Sequence, residues 1–157
     1  ETAETHLSKI NRPRHSIQLG AYINLVCDEN EQTALSLGKL IAGMVAHFAG
    51  LKHAPTEHLP PRLRAVAEHL QSQYDMARHA QEAGSHLALI DEDFVDWFSI
   101  CGPPEKCIER LEPLINMGLE HIYQLGGTPI AHPHGARQIA MVEQAQLFAT
   151  DVIPHFR

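Results

Sequence analysis

The run Leu19 to Val26, inside the stretch SIQLGAYINLVCDEN, limits the fold more than any other feature of the chain. It does not alternate apolar and charged residues, so it provides no wet face. Such a strand has to be covered on both sides, as strands of parallel sheets are. Acids follow at once. Asp28, with Glu31 three residues on, has the form of a capping box, so a helix is expected to start there. Ala34, Leu37, Ile41, Met44, Val45 and Phe48 keep the helical period, and Gly50 supplies a stop. The whole reads as one βα unit.

A second unit of this kind lies near the other end. In FSICGPPEKCIERLEPLINMGLEHIYQLGG, a loop leads to Pro104, which is well placed for a first helical turn. Cys107, Ile108, Leu111, Leu114 and Ile115 form a buried stripe, and Gly118 ends the helix. Leu119 to Leu125 is a short strand broken by Gly126 and Gly127, and Ala136 to Thr150 is a closing helix. Between the two units, His53 to Pro61 is a connection. Arg62 to Ala83 carries Leu63, Val66, Ala67, Leu70, Tyr74 and Ala77 on one helical face before Gly84, and Asp91 to Phe98 forms a further short helix. The expected strands are 18–26 and 120–125, and the expected helices are near 31–49, 62–83, 104–117 and 136–150. Strands so far apart, each followed by a helix, imply parallel pairing through a right-handed crossover. The fold class is therefore α/β, two parallel strands with mostly helical connections. Two strands cannot cover themselves. One reading is a mostly helical domain with a small ribbon; the other, favoured by an N-terminus ETAETHLSKI that resembles the end of a helix, is the tail of a larger α/β barrel.

Composition sets outer limits. At 157 residues and 44% hydrophobic, the chain matches one ordinary globular domain. Twelve Lys and Arg against nineteen Asp and Glu give a net charge of −7, which argues against a nucleic-acid surface. No apolar run approaches the roughly 20 residues of a membrane span, and the N-terminus lacks the apolar core of a signal peptide. Three cysteines, an odd count without framework spacing, fit a reduced, cytoplasmic protein.

Other constellations are weaker. His132 and His134 in HPHG could reach one ion, but no third and fourth ligand stands at recognisable spacing, so no metal is expected. Cys107 lies on an apolar stripe and reads as a small core residue. Cys101 precedes a helix start but has no partner base in view. Neither a Gly-x-Gly-x-x-Gly nor a Walker loop is present. Trp97 and Phe98 sit beside Val95 and Ile100 and read as core rather than as a stacking platform.

The stretch DWFSICGPPEKCIERLEPLINMGLEHIYQLGGTPI resembles the C-terminal part of luciferase-like flavin-dependent oxidoreductases, most of all the methylenetetrahydromethanopterin reductase branch. SIQLGAYINLVCDENEQTA is similar to the seventh strand of that family and the helix after it, and DVIPHFR to its closing segment. Two departures stand out. Pro103 occupies the place of a Thr that can cap the helix, and GGTPIAHPHG is longer and more polar than the family's last loop.

The resemblance implies that residues 1–157 are the C-terminal segment of a single TIM (β/α)8 barrel, with the N-terminal part missing and the chain by itself incomplete and inactive. It implies hydride transfer between coenzyme F-420, a deazaflavin, and a small organic substrate, with catalytic positions mainly in the absent half. An FMN-dependent monooxygenase is the alternative cofactor reading. An inactive fragment serving as scaffold or complementation partner is the alternative class. Barrel ligands meet the C-terminal ends of strands, so Cys27, Asp28, Gly126, Gly127 and Thr128 are the expected lining of the cofactor or substrate pocket. A homo-oligomer, or union with the missing half, is the expected assembly.

Overall fold

The computed structural model describes residues 3–46, 55–57, 59–73, 87, 90–125 and 136–157. Its elements in chain order are α1 (Ala3–Lys9), β1 (Gly20–Cys27), α2 (Glu31–Ala46), α3 (Pro61–Gln73), α4 (Glu92–Phe98), β2 (Ile100–Gly102), α5 (Pro104–Asn116), β3 (His121–Leu125) and α6 (Ala136–Leu147). A π turn over Phe148–Val152 and a 3-10 turn over Ile153–Phe156 follow α6. The expected helix ends at Phe48 and Gly50, at Tyr74, Ala77, Ala83 and Gly84, and the connection at His53, lie outside the described residues.

Among the described residues the sheet has three strands, where the sequence led to two. Its order is β2-β1-β3, and both pairings are parallel. β3 pairs with the first half of β1, from Gly20 opposite His121 to Asn24 opposite Leu125. β2 pairs with its last three residues, Leu25 to Cys27, along the other edge. The strand that the sequence does not reveal is Ile100-Cys101-Gly102, too short to carry a period and readable only as a loop before a helix.

Side chains alternate across β1, so its two faces enter different cores. Val26 and its neighbour Cys101 point toward α2, α3 and α4, and join Ile41, Leu70, Ile90 and Phe94. Leu25, Cys27 and Ile100 point the other way, under Cys107 and Leu111 of α5 and Phe148 and Val152 of the C-terminal turns. The C-terminal half of β1 is thus covered on both faces, as its uninterrupted apolar run requires. The N-terminal half is open: Tyr22 is 73% exposed and packs its ring 5.1 Å from that of Tyr123.

Local contacts set the connections. Arg14 donates to the carbonyls of Ile17 and Gly118 at 2.9 and 3.2 Å and pairs with Glu120, so it ties the entry to β1 to the α5–β3 turn. α2 is capped by Asn30, whose Oδ1 accepts from the Thr33 amide at 3.0 Å. The expected cap, Asp28, lies two residues too early; its Oδ1 accepts instead from the Asn30 amide at 2.8 Å. α4 is capped by Asp91 through the Phe94 amide at 2.9 Å. α5 starts on Pro103 with Pro104 in its first turn and no side-chain cap, in agreement with the loss of a hydroxyl there.

Candidate functional site at the strand ends

The C-terminal ends of β1 and β2 meet α5 and α6 in one polar cluster. The Asp28 amide donates to the Gly102 carbonyl at 3.0 Å, which carries the β1–β2 ladder one residue beyond Cys27. One carboxylate oxygen of Asp28 takes the Asn30 amide at 2.8 Å, and the other takes the side-chain amide of Gln144 on α6. A carboxylate with both oxygens engaged is a fixed anion. It orients what approaches it. Gln144 is only 3% exposed, so the contact to α6 is made out of water.

Gly102 turns the chain from β2 into α5 at φ 150°, where an L side chain is strained. A Cβ there would also lie 2.8 Å from the Lys106 side chain. Lys106 reaches Glu31 of α2 and Asp96 of α4, each at 2.7 Å, so three helices are joined by charge beside the strand ends. Burial opposes the charge of Lys106, but its hydrogen bonds to Asp96 and Glu31 outweigh that and raise its pKa.

Cys27 is fully buried on the α5 side of β1. Its thiol is pushed up by a hydrogen bond with Cys107 and then by burial. Cys101 is pushed up to about 12 by burial, on the opposite face of the sheet. While α5 and the helices stay packed on the sheet, neither is prepared to act as a nucleophile. Asp28 is half-buried at the strand end, where the sequence reading put it. Gly126, Gly127 and Thr128 lie outside the described residues, as do His132 and His134. Among the described residues, no group of three or more His, Cys, Asp or Glu is arranged to hold a metal, and no helix is long and apolar enough to cross a membrane.

Sequence reasoning missed Gln144 and Gly102. Nothing in the helical period of α6 marks Gln144 as buried, because its partner Asp28 stands at the far end of the chain. Gly102 was within view in the CGPPEKC motif, and a glycine directly before two prolines was the available signal. A cavity of about 450 Å3 lies lower along β1, lined by Tyr22, Asn24, Trp97, Ser99 and Arg110. Trp97 is 43% exposed at its edge, so it is less of a core residue than its neighbours suggest, whereas Phe98 stacks on Phe94 at 5.7 Å.

Parallel strands joined by helices, with a polar cluster at their C-terminal ends, define the described residues as a parallel α/β fold. The particular likeness is to reductases of Methanopyrus kandleri. The solved structure of coenzyme F420 dependent tetrahydromethanopterin reductase from Methanopyrus kandleri superposes with a TM-score of 0.60 at 21% identity, over 96% of this chain and 39% of that one. In sequence, the chain is 25% identical over 154 residues to 5,10-methylenetetrahydromethanopterin reductase of the same organism, covering 98% of this chain and 40% of the relative. The chain thus spans about two-fifths of the length of the relative it matches. No protein-family profile matches it. Both comparisons are with reductases of one organism, the kind of protein that the stretch DWFSICGPPEKCIERLEPLINMGLEHIYQLGGTPI resembles.

Proposed function

We propose that these residues belong to a coenzyme F420-dependent oxidoreductase that moves hydride between the deazaflavin and a small organic substrate. The observation that carries this reading is the agreement of two measures: 25% identity along 98% of the chain, and a common fold along 96% of it, both with a reductase that uses this coenzyme or its named substrate. When bound, the deazaflavin supplies the hydride chemistry, and the protein positions it and tunes its surroundings. On this reading, residues 1–157 correspond to the C-terminal segment of one barrel domain. The protein works in the cytoplasm, as a homo-oligomer or joined to the rest of a barrel.

The described part of the rim suits a flat, polar ring. Asp28 is held by Asn30 and Gln144, so it can orient a ring N–H. Gly126, Gly127 and Thr128 would form the opposite lip, where backbone without a Cβ allows close approach. Cys27 would support the rim from below through its packing on Cys107.

Titration of the protein with coenzyme F420 and with FMN, followed by cofactor fluorescence, tests this. Saturable binding of the deazaflavin at least ten times tighter than of FMN is expected. A preference for FMN would move the protein to the monooxygenase side of the superfamily. Binding of neither would leave the scaffold reading.

A further inference from the structure

Cys27 and Cys107 are distant in sequence but flank a single peptide group. Cys27 is the register partner of Gly102 in the β1–β2 ladder. Cys107 donates its thiol proton to the Gly102 carbonyl at 3.5 Å. Both side chains are 0% exposed within the same core. Cys101 adjoins Gly102 in the chain but faces the other way, against Gly38 and Val95, and is out of reach of the pair. All three cysteines are free.

We propose that Cys27 and Cys107 form a two-electron redox site, which a peroxide converts to a disulfide linking the end of β1 to α5. One sulfur attacks a peroxide oxygen, the O–O bond breaks, and a sulfenic acid and one water result. The second sulfur then attacks the sulfenic sulfur; the S–S bond forms, the S–O bond breaks and a second water leaves. Two thiols lose two electrons and two protons, and one peroxide becomes two waters. Burial means that the reaction draws on conformers in which α5 lifts from the strand.

The site communicates with the rim through one atom. The Gly102 carbonyl accepts both the Cys107 thiol and the Asp28 amide. Oxidation removes the thiol donor and leaves the Asp28 amide as the remaining one of these two, so the redox state of the pair reaches the residue at the strand end.

The test uses the chain as it stands. The protein is treated with hydrogen peroxide, then unfolded in the presence of iodoacetamide, and its mass and tryptic map are recorded. The expected product is two hydrogens lighter before alkylation, contains a Cys27–Cys107 cross-linked peptide, and alkylates at Cys101 alone. Prior reduction with dithiothreitol restores three alkylated cysteines. The C101S variant should cross-link as the parent does, and C27S should not cross-link. Protein oxidised after unfolding in urea should give mixed pairings instead of this one. Three alkylatable cysteines after peroxide, cross-links through Cys101 in the folded protein, or sulfinic acid at either position without a cross-link would each overturn the proposal.

Discussion

Asp91 closes the first turn of α4 by accepting the Phe94 amide at 2.9 Å, and it also takes the Arg62 guanidinium at 3.0 Å. The amide of Phe94 lowers its pKa most, with the Arg62 contacts adding to that against a smaller opposing effect of burial. Because the folded pKa is the lower one, the stabilisation is complete above the unfolded value of about 3.9 and is lost as pH falls through the folded value. Asp91→Ala should cost about 1 kcal/mol at pH 7, the usual worth of an N-cap, with little from the exposed ion pair. Urea melts of parent and variant should differ at pH 7 and converge as pH drops below about 4; an equal gap at both would show that the carboxylate charge is irrelevant. Gln144→Leu makes a companion measurement. It removes a buried donor from the Asp28 carboxylate and should cost about 1.5–3 kcal/mol, the range for a hydrogen bond to a charged group. At this scale the sequence was only partly legible. Asp28 was found from its place after an apolar run, but its role was misassigned: the cap is Asn30, and which of two nearby acceptors closes a helix depends on where the strand actually ends.

The elements themselves were easier to read. β1, β3 and α5 announce themselves because burial on two faces or one stripe leaves a pattern in consecutive residues. β2 has three residues and owes its existence to Leu25, Val26 and Cys27 on another strand, so no local pattern could betray it. Its presence explains a glycine inside α2. Gly38 lies where an added Cβ would collide with Cys101 Sγ of β2 and stand 3.0 Å from Val95 of α4. In an isolated helix, Gly38→Ala would gain about 1 kcal/mol of propensity. Here overpacking at about 1–3 kcal/mol should win, because both obstructing side chains are fully buried. The net loss should shrink when Cys101 is also replaced by Ala, which removes the sulfur and leaves its Cβ at 3.7 Å. Thermal melts of the two single variants and the double variant form the cycle; strict additivity would mean that α2 and β2 do not meet as described.

On the scale of the whole molecule, the sheet leaves most of its boundary unpaired. β2 covers β1 only over Leu25 to Cys27, so Gly20 to Asn24 has no strand on that edge among the described residues, and Tyr22 and Tyr123 stand exposed on the open face. Unpaired edges and an uncovered parallel face favour association, with further copies or with the rest of a barrel. Sedimentation at high concentration should therefore show species larger than the monomer; a clean monomer with a cooperative melt would mark the chain as a self-sufficient domain. The functional reading makes its demand at the same scale, since a barrel rim exists only where several strand ends converge. Gly127 follows β3 directly after Gly126, on the lip proposed for the cofactor. On that proposal, replacing it by Val would place a Cβ and two methyl groups where backbone would approach the ring. Cys107→Ala instead truncates a fully buried side chain beneath the rim, and belongs to packing. Gly127→Val is expected to weaken coenzyme F420 binding at least tenfold with little change in melting temperature. Cys107→Ala should do the reverse, lowering the melting temperature while leaving the dissociation constant within about twofold. Dissociation constants and melts of both variants decide the matter. If Gly127→Val binds the deazaflavin as the parent does, the loop after β3 is not part of the rim, and Asp28 has to orient its ligand against some other wall.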